Sequence, residues 1–165
     1  MKNIRKSIVI VGGAGLIGRT FVQACINENI SVIVMDIVNE KIWQQLNIGC
    51  DLYIQTDINN STSLTGAIKR VSAQFKVDCV VNASYPRNKN YGKSVFDVSL
   101  KNFNENINLH LGGYFHVMQK FAELFIEQGY GNIINIASIQ GVSSPKFKHY
   151  ENTDMTSPIE YTAAK

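Results

Sequence analysis

The chain alternates short, unbroken apolar runs with stretches in which apolar residues recur at helical spacing. The runs are Ser7-Ile-Val-Ile-Val11, Ser31-Val-Ile-Val-Met-Asp36, Leu52 to Gln55, Asp78-Cys-Val-Val-Asn82 and Asn132-Ile-Ile-Asn-Ile136. None shows the polar alternation of a strand with one wet face, so they read as strands covered on both sides. Helical stretches lie between them, at about Arg19 to Asn27, Glu40 to Leu46, Ser61 to Gln74 and Leu100 to Gln128. Strand and helix in strict alternation give a parallel α/β sheet. The right-handed crossover rule then selects the doubly wound arrangement, strand order 3-2-1-4-5. In the long last helix Ile107, Leu111, Tyr114, Phe115, Met118, Phe121, Ala122 and Phe125 form a core or subunit-contact stripe. Gly112-Gly113 in its middle costs about 1 kcal/mol per glycine relative to alanine, which predicts a close approach to the backbone or a kink.

Composition narrows the class. With 165 residues, 45% hydrophobic and 18% charged, the chain is one domain's worth and can bury a core. The net charge of +3 is scattered, with no basic stripe to mark a nucleic-acid surface. The N-terminus from Met1 to Lys6 is basic, but the apolar run Ile8 to Val11 is too short for a signal sequence or a membrane span. Cys25, Cys50 and Cys79 are odd in number and far apart, and read as small core residues in a reducing compartment, the cytoplasm. His110, His116 and His149 have no ligand spacing, so no metal site is expected.

Two patterns carry chemistry. Gly12, Gly15 and Gly18 follow the first strand and open a helix, so backbone amides can approach a diphosphate at the positive helix end. Leu16 and Ile17, between the last two glycines, belong to the same cofactor-binding turn. Asp36 ends the next strand eighteen residues after Gly18, where a carboxylate can accept both hydroxyls of an adenosine ribose and repel a 2′-phosphate. NAD is therefore expected over NADP. The second pattern is Tyr161-Thr-Ala-Ala-Lys165, a tyrosine and a lysine one helical turn apart. At a separation of about 5 Å and an effective dielectric of about 20, the ammonium favours a phenolate by roughly 3 kcal/mol, enough to bring a phenol towards working pH.

Taken together in this order, the motifs resemble the N-terminal two thirds of a short-chain dehydrogenase/reductase, and the likeness covers essentially every residue present. The resemblance implies a Rossmann fold in which Asp57, with Ile58 after it, borders the adenine and Asn82-Ala83-Ser84 lies along the cofactor. It also implies a catalytic tetrad. Asn108 holds a water in the proton relay, Ser138 hydrogen-bonds the substrate carbonyl, Tyr161 exchanges the proton, and Lys165 supports the tyrosine and binds the nicotinamide ribose.

The departures sharpen the expectation. Glycine spacing of G-x-x-G-x-x-G is commoner in the nucleotide-sugar-modifying branch of the superfamily, and Ser84 stands where a glycine is usual. An extra stretch between Ser138 and Tyr161, Pro145 to Pro158, is aromatic and polar and suits a sugar-facing wall. Ser84 to Lys93 and Gly131 to Gly141 look most like oxidoreductases of flagellin modification and surface-sugar biosynthesis. The resemblance thus implies hydride transfer between NAD(H) and a carbonyl or alcohol carbon of a sugar derivative, in a homodimer or homotetramer.

Two other readings stay open, a catalytically inactive NAD-binding fragment and an NAD-dependent nucleotide-sugar epimerase or dehydratase. The first is motivated by the last residue, Lys165. Members of the superfamily continue beyond this lysine with the rest of its helix, further strands and the substrate loop. A domain incomplete at this point leaves a strand edge uncovered, and a polypeptide ending here is expected to be inactive or nearly so.

Overall fold

The computed structural model describes residues 5–153 and 155–165. They group into two compact units, so the single domain expected from length has an internal division. The first comprises the described part of Met1–Ser84 with Tyr114–Ile136, and the second comprises Tyr85–Gly113 with Ala137–Lys165.

The first unit is built on a five-stranded sheet of β1 (Ser7–Val11), β2 (Ser31–Asp36), β3 (Leu52–Gln55), β4 (Cys79–Asn82) and β5 (Ile133–Asn135). Its order is β3-β2-β1-β4-β5, and every pairing is parallel. Ser7 lies opposite Ser31 and Val11 opposite Met35 in one ladder, and Ile8 lies opposite Cys79 in the next. The doubly wound order read from the sequence is the observed one. Helices α1 (Leu16–Asn27), α2 (Glu40–Gln45) and α3 (Ser61–Ser72) follow the first three strands.

The continuous apolar runs are explained by two cores. Val9, Val11, Ile33, Met35 and Val80 pack with Leu64 and Val71 of α3 on one face. Ile10, Val32, Val34 and Val81 pack with Val22 of α1 and Trp43 of α2 on the other. Successive residues of β1 and β2 therefore enter opposite cores, and burying each such side chain contributes about 1.5–3 kcal/mol. The side chains of Asn39 and Asn60 cap α2 and α3 by accepting the N–H groups of Ile42 and Ser63, at 3.0 and 2.9 Å.

The long helix expected from Leu100 to Gln128 is interrupted. The segment divides into α4 (Leu100–Ile107), a π-helical turn at Asn108–Gly112, and α5 (Gly113–Gln128), whose Val117, Phe121 and Phe125 enter the first core. The close approach predicted at the glycine pair is made by the turn itself, since a Cβ on Gly112 would stand 3.3 Å from Asn108 Oδ1. Single π turns inside helices are commonly found at functional sites.

The second unit contains α4, the π turn, short 3-10 turns at Ile139–Gly141 and Phe147–Tyr150, and α6 (Ile159–Ala164). Gln140 Oε1 accepts the hydroxyls of Ser157 (2.7 Å) and Thr162 (3.1 Å), tying the first 3-10 turn to α6. The Pro145–Pro158 stretch exposes Phe147 and Met155, while Ser157 is buried. Asp154, within that stretch, lies outside the described residues.

Candidate active site

The glycine turn of the first unit is shaped by backbone approach. Gly12 has φ +79°, a left-handed conformation that L side chains avoid, and a Cβ there would stand 2.6 Å from Ser84 Cα. A Cβ on Gly18 would strike the Gly12 carbonyl oxygen. The turn closes through Gly15 N–H donating to Gly12 O at 3.1 Å, and Gly15 then caps α1 with no side-chain partner for the first helical amides. Leu16 and Ile17 are exposed. Gly12, Gly15, Leu16, Ile17 and Gly18 are thus brought into one turn at the start of α1.

Asp36 ends β2 beside this turn. Its Oδ2 accepts Ala14 N–H at 2.9 Å and its Oδ1 accepts Val38 N–H at 3.2 Å, so the carboxylate is oriented by the turn and keeps lone pairs for a ligand's hydroxyls. Asp57 caps its own turn through Asn59 N–H (2.9 Å). Ile58 points its side chain into the core, and its carbonyl contacts His116 Nδ1 at 2.7 Å. At the end of β4, Asn82 is fully buried, and its Oδ1 accepts the N–H (3.3 Å) and hydroxyl (2.6 Å) of Ser84. Ala83 N–H donates to Val11 O at 2.9 Å.

The residues present fit a dinucleotide. A Cβ at Gly12 or Gly18 would drive apart the backbone of Ser84 or of Gly12 and Gly13, so only glycine lets the turn close at the helix terminus, and Asn82 Nδ2 is buried with no partner among the described residues. Among the described residues no group of three His, Cys, Asp or Glu is placed to hold a metal.

The tetrad residues all lie in the second unit. Tyr161 and Lys165 sit one turn apart at α6, with the ammonium 5.8 Å from the Tyr161 ring centre. The ammonium also lies 5.9 Å from the ring centre of Tyr85, and burial pushes the Lys165 pKa below its ordinary value. Ser138 is the N-cap of the 3-10 turn, where its Oγ accepts Gln140 N–H at 3.2 Å. Asn108 opens the π turn and is exposed.

A cluster absent from the motif reading surrounds Tyr161. The Tyr85 ring meets Tyr161 edge-on at 5.5 Å, His110 at 4.9 Å and Tyr91 at 5.6 Å, and the hydroxyls of Tyr85 and Tyr91 touch. Burial, and secondarily the Lys165 charge, lowers the pKa of His110 to about 4. Asn106 and Glu160, each only 2% exposed, join α4 to α6. In the sequence these are ordinary loop and helix residues. The one available signal was that Asn106 and Glu160 stand two and one residues before Asn108 and Tyr161.

The chain and its fold are similar to those of known proteins. The chain is 37% identical over 174 aligned residues to the post-translational flagellin modification protein A of Campylobacter coli, covering 97% of this chain and 66% of that protein. The structure matches an NAD+-bound short chain dehydrogenase from Leptospira borgpetersenii with TM-score 0.78 and 27% identity, covering 97% of this chain and 60% of that one. It also matches the fold of ElxO with NADP bound, again at TM-score 0.78, with 19% identity and coverage of 98% and 62%. The chain therefore spans somewhat under two thirds of the length of these proteins. Residues 6–153 match the short chain dehydrogenase family, and the chain belongs to it.

Proposed function

We propose that this chain carries the cofactor cradle and the proton-exchanging residues of an NAD-dependent oxidoreductase. The reaction is hydride transfer to or from a carbonyl or alcohol carbon of a sugar derivative destined for flagellin or surface glycan. The observation that carries the reading is the pairing of Lys165 with Tyr161 at 5.8 Å inside a cluster of aromatic rings. The likeness to the flagellin modification protein supports the sugar assignment.

Bound NAD(H) supplies or accepts the hydride. The glycine turn and Asn82–Ser84 hold the cofactor's diphosphate side, Asp57 and the Ile58 main chain border the adenine, and Asp36 accepts the ribose hydroxyls. A second negative charge on a 2′-phosphate would meet Asp36 at close range, which favours NAD over NADP. Tyr161 gives or takes the proton of the substrate oxygen. Ser138, with one lone pair occupied by Gln140 N–H, keeps its hydroxyl proton for that same oxygen. Lys165 adds positive charge on the tyrosine's helix face, and Asn108 in the π turn links it to solvent. The exposed apolar residues Phe115 and Ile126 on α5 support a homo-oligomer. The unpaired cysteines support a cytoplasmic setting, and no helix among the described residues is long and apolar enough to cross a membrane.

The test is Tyr161→Phe in the intact gene product. Turnover is expected to vanish while NAD binding by titration stays within about threefold. Normal turnover by this variant would sink the mechanism. The G-x-x-G-x-x-G spacing favours one alternative, an epimerase or dehydratase with tightly held NAD. That enzyme would turn over without net change in NADH absorbance.

A further inference from the structure

Arg87 stands in the second unit on the segment that follows Ser84. Its guanidinium lies 5.3 Å from the Tyr85 ring centre and 5.6 Å from that of Tyr91. Among the described residues it makes no hydrogen bond and no ion pair, and the side chain is exposed. A guanidinium stays charged at every working pH and presents five donors in a planar fork. Here cation–π contact with two rings restrains the fork and leaves all five donors available. Glu105 accepts Asn88 Nδ2 at 3.0 Å and Glu160 accepts Asn106 Nδ2 at 3.2 Å, and among the described residues neither forms an ion pair with Arg87.

The segment carrying Arg87 is also fixed. Pro86 restricts both itself and Tyr85 before it, and Asn88 N–H donates to the buried Asn106 Oδ1 at 2.9 Å. The same Tyr85 ring has Tyr161 at 5.5 Å and the Lys165 ammonium at 5.9 Å. An available, restrained guanidinium and the pair assigned to proton exchange therefore meet at one aromatic ring. A small substrate whose reacting oxygen meets Tyr161 can extend past that ring to Arg87.

We propose that Arg87 anchors an oxyanion carried by the substrate, a phosphate ester or a carboxylate, while Tyr85 and Tyr91 hold its guanidinium in place. The substrate's location rests on the reading of Tyr161 given above. Restraining the fork in advance lowers the entropy lost on binding, and a bidentate contact to phosphate or carboxylate orients the sugar as well as holding it.

The first experiment needs no turnover. Arginine Nε–H resonances of the 15N-labelled chain are followed during titration with sodium phosphate, at ionic strength held constant with chloride. The Arg87 resonance is expected to shift saturably with phosphate and not with chloride, and to vanish in Arg87→Gln while the rest of the spectrum is unchanged. A linear or absent shift would overturn the proposal. The second compares hexose 6-phosphates, hexuronates and free hexoses as substrates of the intact gene product. Arg87→Gln should raise KM about tenfold or more for the anionic class that the wild type prefers, with kcat changed less than about threefold and free hexoses unaffected, and Arg87→Lys should fall between. The preferred class distinguishes phosphate from carboxylate. Equal KM effects on neutral and anionic sugars, or a wild-type preference for free hexoses, would overturn it. Normal turnover by Tyr161→Phe alongside a saturable phosphate shift would remove the reading of Tyr161 and leave the anion site standing.

Discussion

Asn106 Nδ2 donates to Glu160 Oε1 at 3.2 Å, across 54 residues of chain, with both side chains 2% exposed. Asn106 Oδ1 meanwhile accepts Asn88 N–H, so one amide ties the Arg87 segment, α4 and α6 together. Glu160 Oε2 is buried with no partner among the described residues, which makes the carboxyl an expensive way to keep this contact. Asn106→Ala strands the buried Glu160 Oε1 and the part-buried Asn88 N–H and should cost about 2–3 kcal/mol. Glu160→Gln keeps an acceptor for Asn106 and should change stability by less than about 1 kcal/mol. Urea midpoints at unchanged m-value measure both. A Glu160→Gln variant as unstable as Asn106→Ala would show that the second carboxyl oxygen has an essential partner.

Gly18 and Gly66 should respond oppositely to alanine. A Cβ on Gly18 collides with the Gly12 carbonyl and would stand 2.7 Å from Gly13 Cα, so Gly18→Ala must displace backbone. We expect a loss of about 2 kcal/mol or more together with loss of NAD binding. Gly66 lies inside α3 with open space around its Cβ position, so Gly66→Ala should gain about 0.5–1 kcal/mol. Thermal midpoints and an NAD titration on the pair separate a cradle glycine from a merely tolerated one.

These contrasts show what a linear reading can and cannot reach. The five strands were legible because β1 and β2 feed two cores at once, leaving no polar position to blur the runs. Asp36 and the glycine turn were legible because their contacts are local in sequence. The irregularity in the long helix was legible only through Gly112-Gly113, and nothing in the apolar stripe marked a π turn beginning at Asn108. Asn106, Glu160, Tyr85 and Arg87 were invisible for a different reason. Their polarity matches solvated surface residues, and only tertiary contact buries the first two, sets Tyr85 edge-on to Tyr161 and places Arg87 over the Tyr85 and Tyr91 rings.

His110 should make the fold sensitive to acid. Its pKa in the folded chain is about 4 against an ordinary 6.5, chiefly through burial, with the Lys165 charge adding to it. Between these values the unfolded chain takes up a proton that the folded chain refuses, so stability falls as pH drops through this window and is flat above it with respect to this residue. The loss reaches at most about 3 kcal/mol near the lower value. Urea midpoints from pH 7.5 to 4.5 should decline in the wild type and decline less in His110→Gln. Parallel declines would assign the acid sensitivity to other groups.

Asp36 offers the sharpest check on cofactor choice, because its two oxygens already serve different ends. Oδ2 steadies the glycine turn through Ala14 N–H, and Oδ1 accepts Val38 N–H. Asp36→Asn removes the charge that repels a 2′-phosphate while retaining one acceptor, so the carboxamide oxygen can replace only one of the two contacts. The ratio of kcat/KM for NADP over NAD should rise about tenfold or more, and NAD affinity should fall as well, since the amide is a weaker acceptor for ribose hydroxyls. Asp36→Ala should lose both turn contacts and weaken NAD and NADP binding together. If Asp36→Asn left the ratio unchanged, the carboxylate would be an element of the turn alone, and cofactor selection would reside in other residues of the cradle.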